Sequence, residues 1–298
     1  MADVSSSPGS IPHLRWSRKP EELRRPVLVA AFEGWNDAGD AATITARCLT
    51  ERFDAQPVAE IDPEEFYDFS MIRPIVRLDD HGHRTLAWPG TQVLAARTPE
   101  TDRDLVVVLG VEPQLRWRAF CAAVTAAAEA LEVSEVLTLG ALLSDVPHTR
   151  PVQVFGTSDD EQLMDRLDLS RSGYEGPTGI VGVLASQFAQ AGLPGASFWA
   201  AVPGYAPRTP SPKAALALVQ RAGELLGLTV SVTDLEVDAL DYEQQVSKLI
   251  SDDAEVVDYL AELEQAWDDE HADASPGRLT DNPQRLVAEV ESFLRDRP

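Results

Sequence analysis

The sequence predicts an α/β fold, a mostly parallel sheet covered by helices, followed by an acidic helical section. Three observations carry this reading. Continuous apolar runs recur at 26–32, 104–110, 135–143 and 196–202, the pattern of strands buried on both faces. Segments with helical apolar spacing alternate with them, which favours strands laid parallel through helical crossovers. After Val232 the strand signal stops, and residues 234–273 hold 15 acids against one base, Lys248.

In chain order, residues 1–24 read as a disordered arm without the apolar core of a signal peptide, with Trp16 as its one docking residue. The strand PVLVAAF runs through the turn Glu33-Gly34-Trp35-Asn36-Asp37 into a helix from Ala38 to Phe53. QPVAEID is a second strand. Residues 72–97 read as short antiparallel strands with a turn at Asp80-His81-Gly82. DLVVVLG is a buried strand, followed by a helix from Arg116 to Leu131 and by the strand EVLTLGALL. VQVFGTS suits an edge strand. Pro177 and Thr178 mark a helix start, with Gly192 as its stop. ASFWAAV is the last clear strand, and a helix runs from Ser211 or Pro212 to Gly227. Two acidic amphipathic helices fill 234–267, with Val256, Val257, Leu260, Leu263 and Trp267 on one stripe. A linker and a closing helix, PQRLVAEVESFLRDR, follow. The division is an α/β core over 25–232 and a C-terminal helical extension over 233–298.

Composition excludes some functions. The net charge of −24 repels nucleic acid and anionic membrane surfaces. No apolar run approaches the roughly 18 residues of a membrane span. Cys48 and Cys121 sit in apolar helical patterns and read as buried thiols of a reducing compartment, so the cytoplasm is the expected address.

In an open parallel sheet, ligands bind beyond the carboxyl ends of the strands. The turns there bring Glu33, Trp35, Asn36, Asp37, Glu112, Trp117, His148, Arg150 and Tyr205 to one rim, a pocket or a contact surface. Glycine-rich phosphate motifs are absent from the sequence, and Asn36 or Asp37 can cap the helix after the first turn. There is no G-x-S-x-G elbow, and Ser144, Asp145 and His148 lie too close in sequence for a triad. His81-Gly82-His83 reads as a polar hairpin tip, so no metal or other cofactor is expected.

FEGWNDAGDAA, LLSDVPHTRPV, YEGPTGIVGVL, PSPKAALALV and DDAEVVDYLAELE together resemble the PAC2 family of proteasome assembly chaperone 2, in its actinobacterial form. The resemblance implies a three-layer α/β/α fold like that of phosphorylase/hydrolase-like proteins. It implies a non-enzymatic protein-binding module, possible proteasome-subunit partners, and a homo-oligomer, a trimer ahead of a dimer. Eukaryotic and archaeal members dock on the proteasome α-ring partly through a C-terminal hydrophobic-Tyr-X tail. The residues FLRDRP depart from that pattern. The alternative is a small-molecule-binding enzyme or sensor that uses the rim pocket.

Overall fold

The computed structural model describes residues 11–18, 22–79, 81–227 and 230–271. An eight-stranded sheet forms from β1 (Leu14–Trp16), β2 (Val27–Glu33), β3 (Gln56–Ile61), β6 (Thr91–Ala96), β7 (Leu105–Val111), β8 (Glu135–Ser144), β9 (Val154–Ser158) and β10 (Gly195–Pro203). Its order is β1-β3-β6-β7-β2-β8-β10-β9. The central strands β7, β2, β8 and β10 are parallel, and the outer pairings are antiparallel. The sheet is therefore mixed, with its parallel part at the centre. Strands β4 (Ile75–Leu78) and β5 (Arg84–Ala87) form the antiparallel hairpin that the sequence predicts, although Asp80 of its turn lies outside the described residues; it stands apart from the main sheet, which β6 of the same 72–97 stretch joins.

Three layers follow from the two-residue period of the strands. On β2, Val27, Val29 and Ala31 face α1 (Ala41–Arg52) and α5 (Pro212–Leu226), while Leu28, Ala30 and Phe32 face α2 (Trp117–Ala130) and α4 (Ile180–Gln190). Both faces are covered, which is why the strand reads as an unbroken apolar run. Helix α5 starts and stops where the sequence places it. The Ser211 hydroxyl accepts from the Ala214 N–H, Pro212 opens the first turn, and Gly227 closes it with φ of 72°.

The extension forms α6 (Thr233–Ile250) and α7 (Ala254–His271). Leu235, Ala239, Tyr242, Val246 and Ile250 make the buried stripe of α6. On α7 no residue is fully buried; Val256, Leu260, Leu263 and Trp267 are half-buried and Val257 is exposed. The closing helix at 283–297 lies outside the described residues.

Two expectations are corrected and one element is added. Leu14–Trp16 is not a disordered arm but an antiparallel partner of β3, with Leu14 buried in the core. Three residues are too few to show a period. Helix α4 begins at Ile180, beyond Pro177 and Thr178, because its first turn is capped by a distant residue described below. A short helix, α3 (Glu161–Leu167), fills a stretch the sequence leaves unassigned; the Asp160 carboxylate caps it by accepting from the Leu163 N–H.

Candidate functional site

The turn after β2 carries most of the local architecture. Asp37 is buried, and one carboxylate oxygen accepts from the N–H groups of Ala42 (2.7 Å) and Thr43 (3.3 Å). The other accepts from the Thr43 hydroxyl at 2.5 Å. Asp37 thus satisfies the open donors of α1 from outside the helix. Burial pushes its carboxyl up to about 6, against the pull of these donors. The turn also extends the sheet: Asn36 O accepts from Ala141 N at 2.8 Å, beside a bridge between Asp37 and Ala141.

Asn36 joins a second cap. Its Nδ2 donates to Glu112 Oε1 at 2.9 Å, and the same oxygen accepts from Ile180 N at 2.9 Å. Glu112, beyond the end of β7, therefore caps α4, whose own N-cap residue is Gly179. A Cβ on Gly179 would lie 2.2 Å from Asn36 Nδ2, so the glycine lets the two segments touch. This explains why the Glu-Gly-Trp-Asn-Asp and Gly-Pro-Thr-Gly stretches occur in one chain: they meet.

Between α4 and the sheet lies an open groove of about 1000 Å³. Its floor is Trp199, whose indole lies where a side chain on Gly140 of β8 would stand, 2.6 Å from that Cβ position. Trp35 and Tyr174 line it as well, with the Thr138–Ser197 hydroxyl pair 2.5 Å apart. Lys, Arg, His and Cys are not among its lining residues that the structure describes.

His148 and Arg150 stand apart from this groove. His148 is buried, and its backbone N–H donates to the Tyr205 hydroxyl at 2.8 Å. That hydroxyl lies 2.8 Å from Nδ1, and Nε2 lies 2.8 Å from the Ser247 hydroxyl of α6. The Tyr205 and Ser247 hydroxyls can each donate or accept, so the pair satisfies the ring in either neutral tautomer. Burial, with Lys213 nearby, lowers the His148 pKa, and burial pushes Tyr205 up to about 12. Lys213 Nζ donates to the carbonyls of His148 (2.6 Å) and Arg150 (2.7 Å) and pairs with Glu243 of α6 at 2.5 Å. Arg150 holds Asp268 of α7 in a two-pronged pair at 2.7 Å and 2.7 Å, and reaches Glu264 at 3.3 Å. Tyr259 of α7 donates to Asp145 at 2.7 Å. The turn after β8 is a dock for the acidic helices.

The structure therefore divides the expected rim. Trp35, Asn36 and Glu112 belong to the groove side. Asp37 is sealed under α1. His148, Arg150 and Tyr205 hold α6 and α7. Glu33 pairs with Arg47, and Trp117 packs beside the α2 core with its Nε1 donating to Pro113 O at 2.5 Å. His148 bonds to side chains as well as through its backbone. Sequence reasoning missed Trp199, Tyr174 and Lys213. The signal for Trp199 was Gly140 inside a strand, which marks a close approach. Among the described residues no group of three His, Cys, Asp or Glu side chains is placed to hold a metal ion, and no helix is long and apolar enough to cross a membrane.

Fold and site together define an α/β protein whose polar sheet-end residues bind its own elements together. The PAC2 family model matches residues 31–250, and the chain belongs to this family. It is similar to the PAC2 family protein of Streptomyces avermitilis, with 46% identity over 78% of this chain and 99% of that one, at a TM-score of 0.73. It is similar to a Mycobacterium tuberculosis proteasome-assembly chaperone homologue, with 44% identity over 78% of this chain and 99% of that one, at a TM-score of 0.71. The archaeal proteasome activator PbaB of Pyrococcus furiosus shares the fold at 18% identity and a TM-score of 0.64, over 79% of this chain and 97% of that one. No curated protein matches the chain.

Proposed function

We propose that this chain is a non-enzymatic protein-binding module, a cytoplasmic proteasome-assembly-chaperone-like protein that self-associates and takes proteasome subunits as partners. The observation that carries this reading is the use made of the polar sheet-end residues. Asp37 and Glu112 cap helices, His148 is bonded at both ring nitrogens, and Arg150 anchors α7. These side chains spend their hydrogen bonds on the chain's own helices, which supports a structural use of them. Similarity to the Mycobacterium tuberculosis chaperone homologue supports the choice of partner.

The test mixes the purified chain with proteasome α subunits from its own cell type. The expected result is a stoichiometric complex on size exclusion and a faster appearance of assembled rings. No complex at micromolar concentration, with an unchanged assembly time course, would overturn the reading.

The groove supports a second reading, a small-molecule sensor, because Trp35, Tyr174 and Trp199 offer aromatic surface. Native mass spectrometry separates the two. A compound that co-purifies with the wild type and is lost on Trp199→Ala would favour the sensor.

A further inference from the structure

Among the described residues, two surfaces are left without cover. The first is the β4–β5 hairpin. All of its strand residues are exposed except Ala87, which is half-buried. Register places Val76 opposite Leu86 and Leu78 opposite Arg84. Val76, Leu78 and Leu86, the three at 46%, 69% and 57% exposure, therefore share one face with Arg84, while Arg77 lies on the other. A lone two-stranded ribbon is at best marginally stable in water. An aliphatic face on such a ribbon calls for a partner.

The second is the groove over β8 and β10. Helices α2 and α4 cover β7, β2 and part of β8 on that face, and Trp199 remains half-exposed at the edge of their reach. The groove wall on α4 is made of small residues, Gly182, Ala185 and Ala189.

The charges of the two surfaces match. The strands of the hairpin carry Arg77 and Arg84 and no acid. The described groove lining carries Asp159 and Asp160 and no cation. Asp160 is committed to capping α3, while Asp159 is exposed. Pairing two hairpins face to face would set arginines against each other, and pairing two grooves would leave both unfilled. Within one chain the hairpin does not line the groove. It is rooted instead through Phe66, Tyr67 and Ile72 beside β7, three strands from β10.

We propose that the β4–β5 hairpin of one chain docks in the α4–β10 groove of a second copy, with Val76, Leu78 and Leu86 toward Trp199 and Arg84 of the same face toward Asp159. The contact is head to tail, since each copy offers a different surface at its two ends. Repetition of such a contact closes a ring when the rotation permits. This deepens the self-association included in the proposed function and rests on it.

The experiment uses the full purified chain and sedimentation velocity. The wild type sediments as a multiple of 32.5 kDa. Leu78→Glu with Leu86→Glu blocks the hairpin, and Ser186→Arg with Ala189→Arg blocks the groove. All four positions are exposed, so each variant keeps the wild-type circular dichroism spectrum and a cooperative melt. Each variant alone sediments as a monomer. An equimolar mixture of the two forms a 1:1 dimer and nothing larger, because only one intact hairpin and one intact groove remain to meet. A charge exchange gives an independent readout: Arg84→Glu weakens assembly at least tenfold, and adding Asp159→Lys restores it.

A monomeric wild type overturns the proposal, as does a groove variant that assembles normally. A mixture that stays monomeric overturns the head-to-tail arrangement. If the block variants fail to fold, the charge exchange decides, and failure of Asp159→Lys to rescue counts against the contact. Binding of proteasome α subunits is measured separately. A monomer that binds them sinks this contact alone, and a ring that ignores them sinks the partner assignment alone.

Discussion

Replacing Asp37 by Ala tests whether the turn after β2 exists to cap α1, and at which pH that cap stabilises the fold most. The substitution removes the acceptor for Ala42 N, Thr43 N and the Thr43 hydroxyl, all buried. Loss of a helix cap costs about 0.5–2 kcal/mol, and buried donors left unpaired place this site at the upper end, ~2 kcal/mol. The pH dependence has a definite sign. The folded carboxyl is raised from 3.8 to about 6, so between these values the native state binds more protons than the unfolded chain. Stability from Asp37 is therefore fully present below 3.8, falls as the pH rises toward 6, and stays at its lower level above. A rise of roughly two units at 1.36 kcal/mol each corresponds to ~3 kcal/mol, on the order of the capping energy itself. The variant lacks this dependence. Its deficit against the wild type should thus be larger at pH 4 than at pH 7. Paired thermal melts of the two proteins across this range measure it, and comparison at each pH cancels every other titrating group. A deficit of about 2 kcal/mol shifts the midpoint by some 4–8 °C in a domain of 150–250 residues. A deficit that grows with pH would refute the reasoning, since it would mean that the three donors outweigh burial and hold the carboxyl low.

Three further outcomes follow from the same contacts. Gly179→Ala should cost about 1–3 kcal/mol, because its Cβ displaces the Asn36 amide and with it the Glu112 cap on α4; an unchanged melt would contradict that packing. Arg150→Ala should free α7 while leaving the sheet intact, which hydrogen exchange reads as faster exchange in 254–271 and unaltered exchange in α5; equal rates in wild type and variant would show that the pair with Asp268 does not anchor the helix. His148 has a lowered pKa, so its contribution is complete above the ordinary value of 6.5 and declines as the pH falls below it, where the unfolded chain takes the proton first. Acidification should therefore loosen α6 from the Tyr205–His148 dock, and His148→Gln should remove that part of the pH response; a variant with the wild-type response would exclude the histidine.

Local signals were enough for the elements whose residues make their own case. The run VLVAAF declares a strand covered on both faces, and the Ser211-Pro212 start with the Gly227 stop brackets α5, because these preferences act within a few residues. The two acidic amphipathic helices were legible as well, but the stripe singled out, Val256 to Trp267 on α7, is at most half-buried, and the fully buried stripe is that of α6. The candidate site was legible in part: the turn from Glu33 to Asp37 was singled out, and its capping role was readable from the position of Asp37 before a helix. Which loop meets which was not. Side-chain period says which face a residue takes but not which strand lies next to it, so the placement of β7 beside β2, and the antiparallel flanks, came only with long-range pairing. The division of the rim has the same origin. Glu112 caps a helix that starts 68 residues later, and Arg150 closes on Asp268, 118 residues away. Contacts at such separations are set by where the packed layers put the two backbones, because the energy that favours them appears only after burial has removed water from both partners.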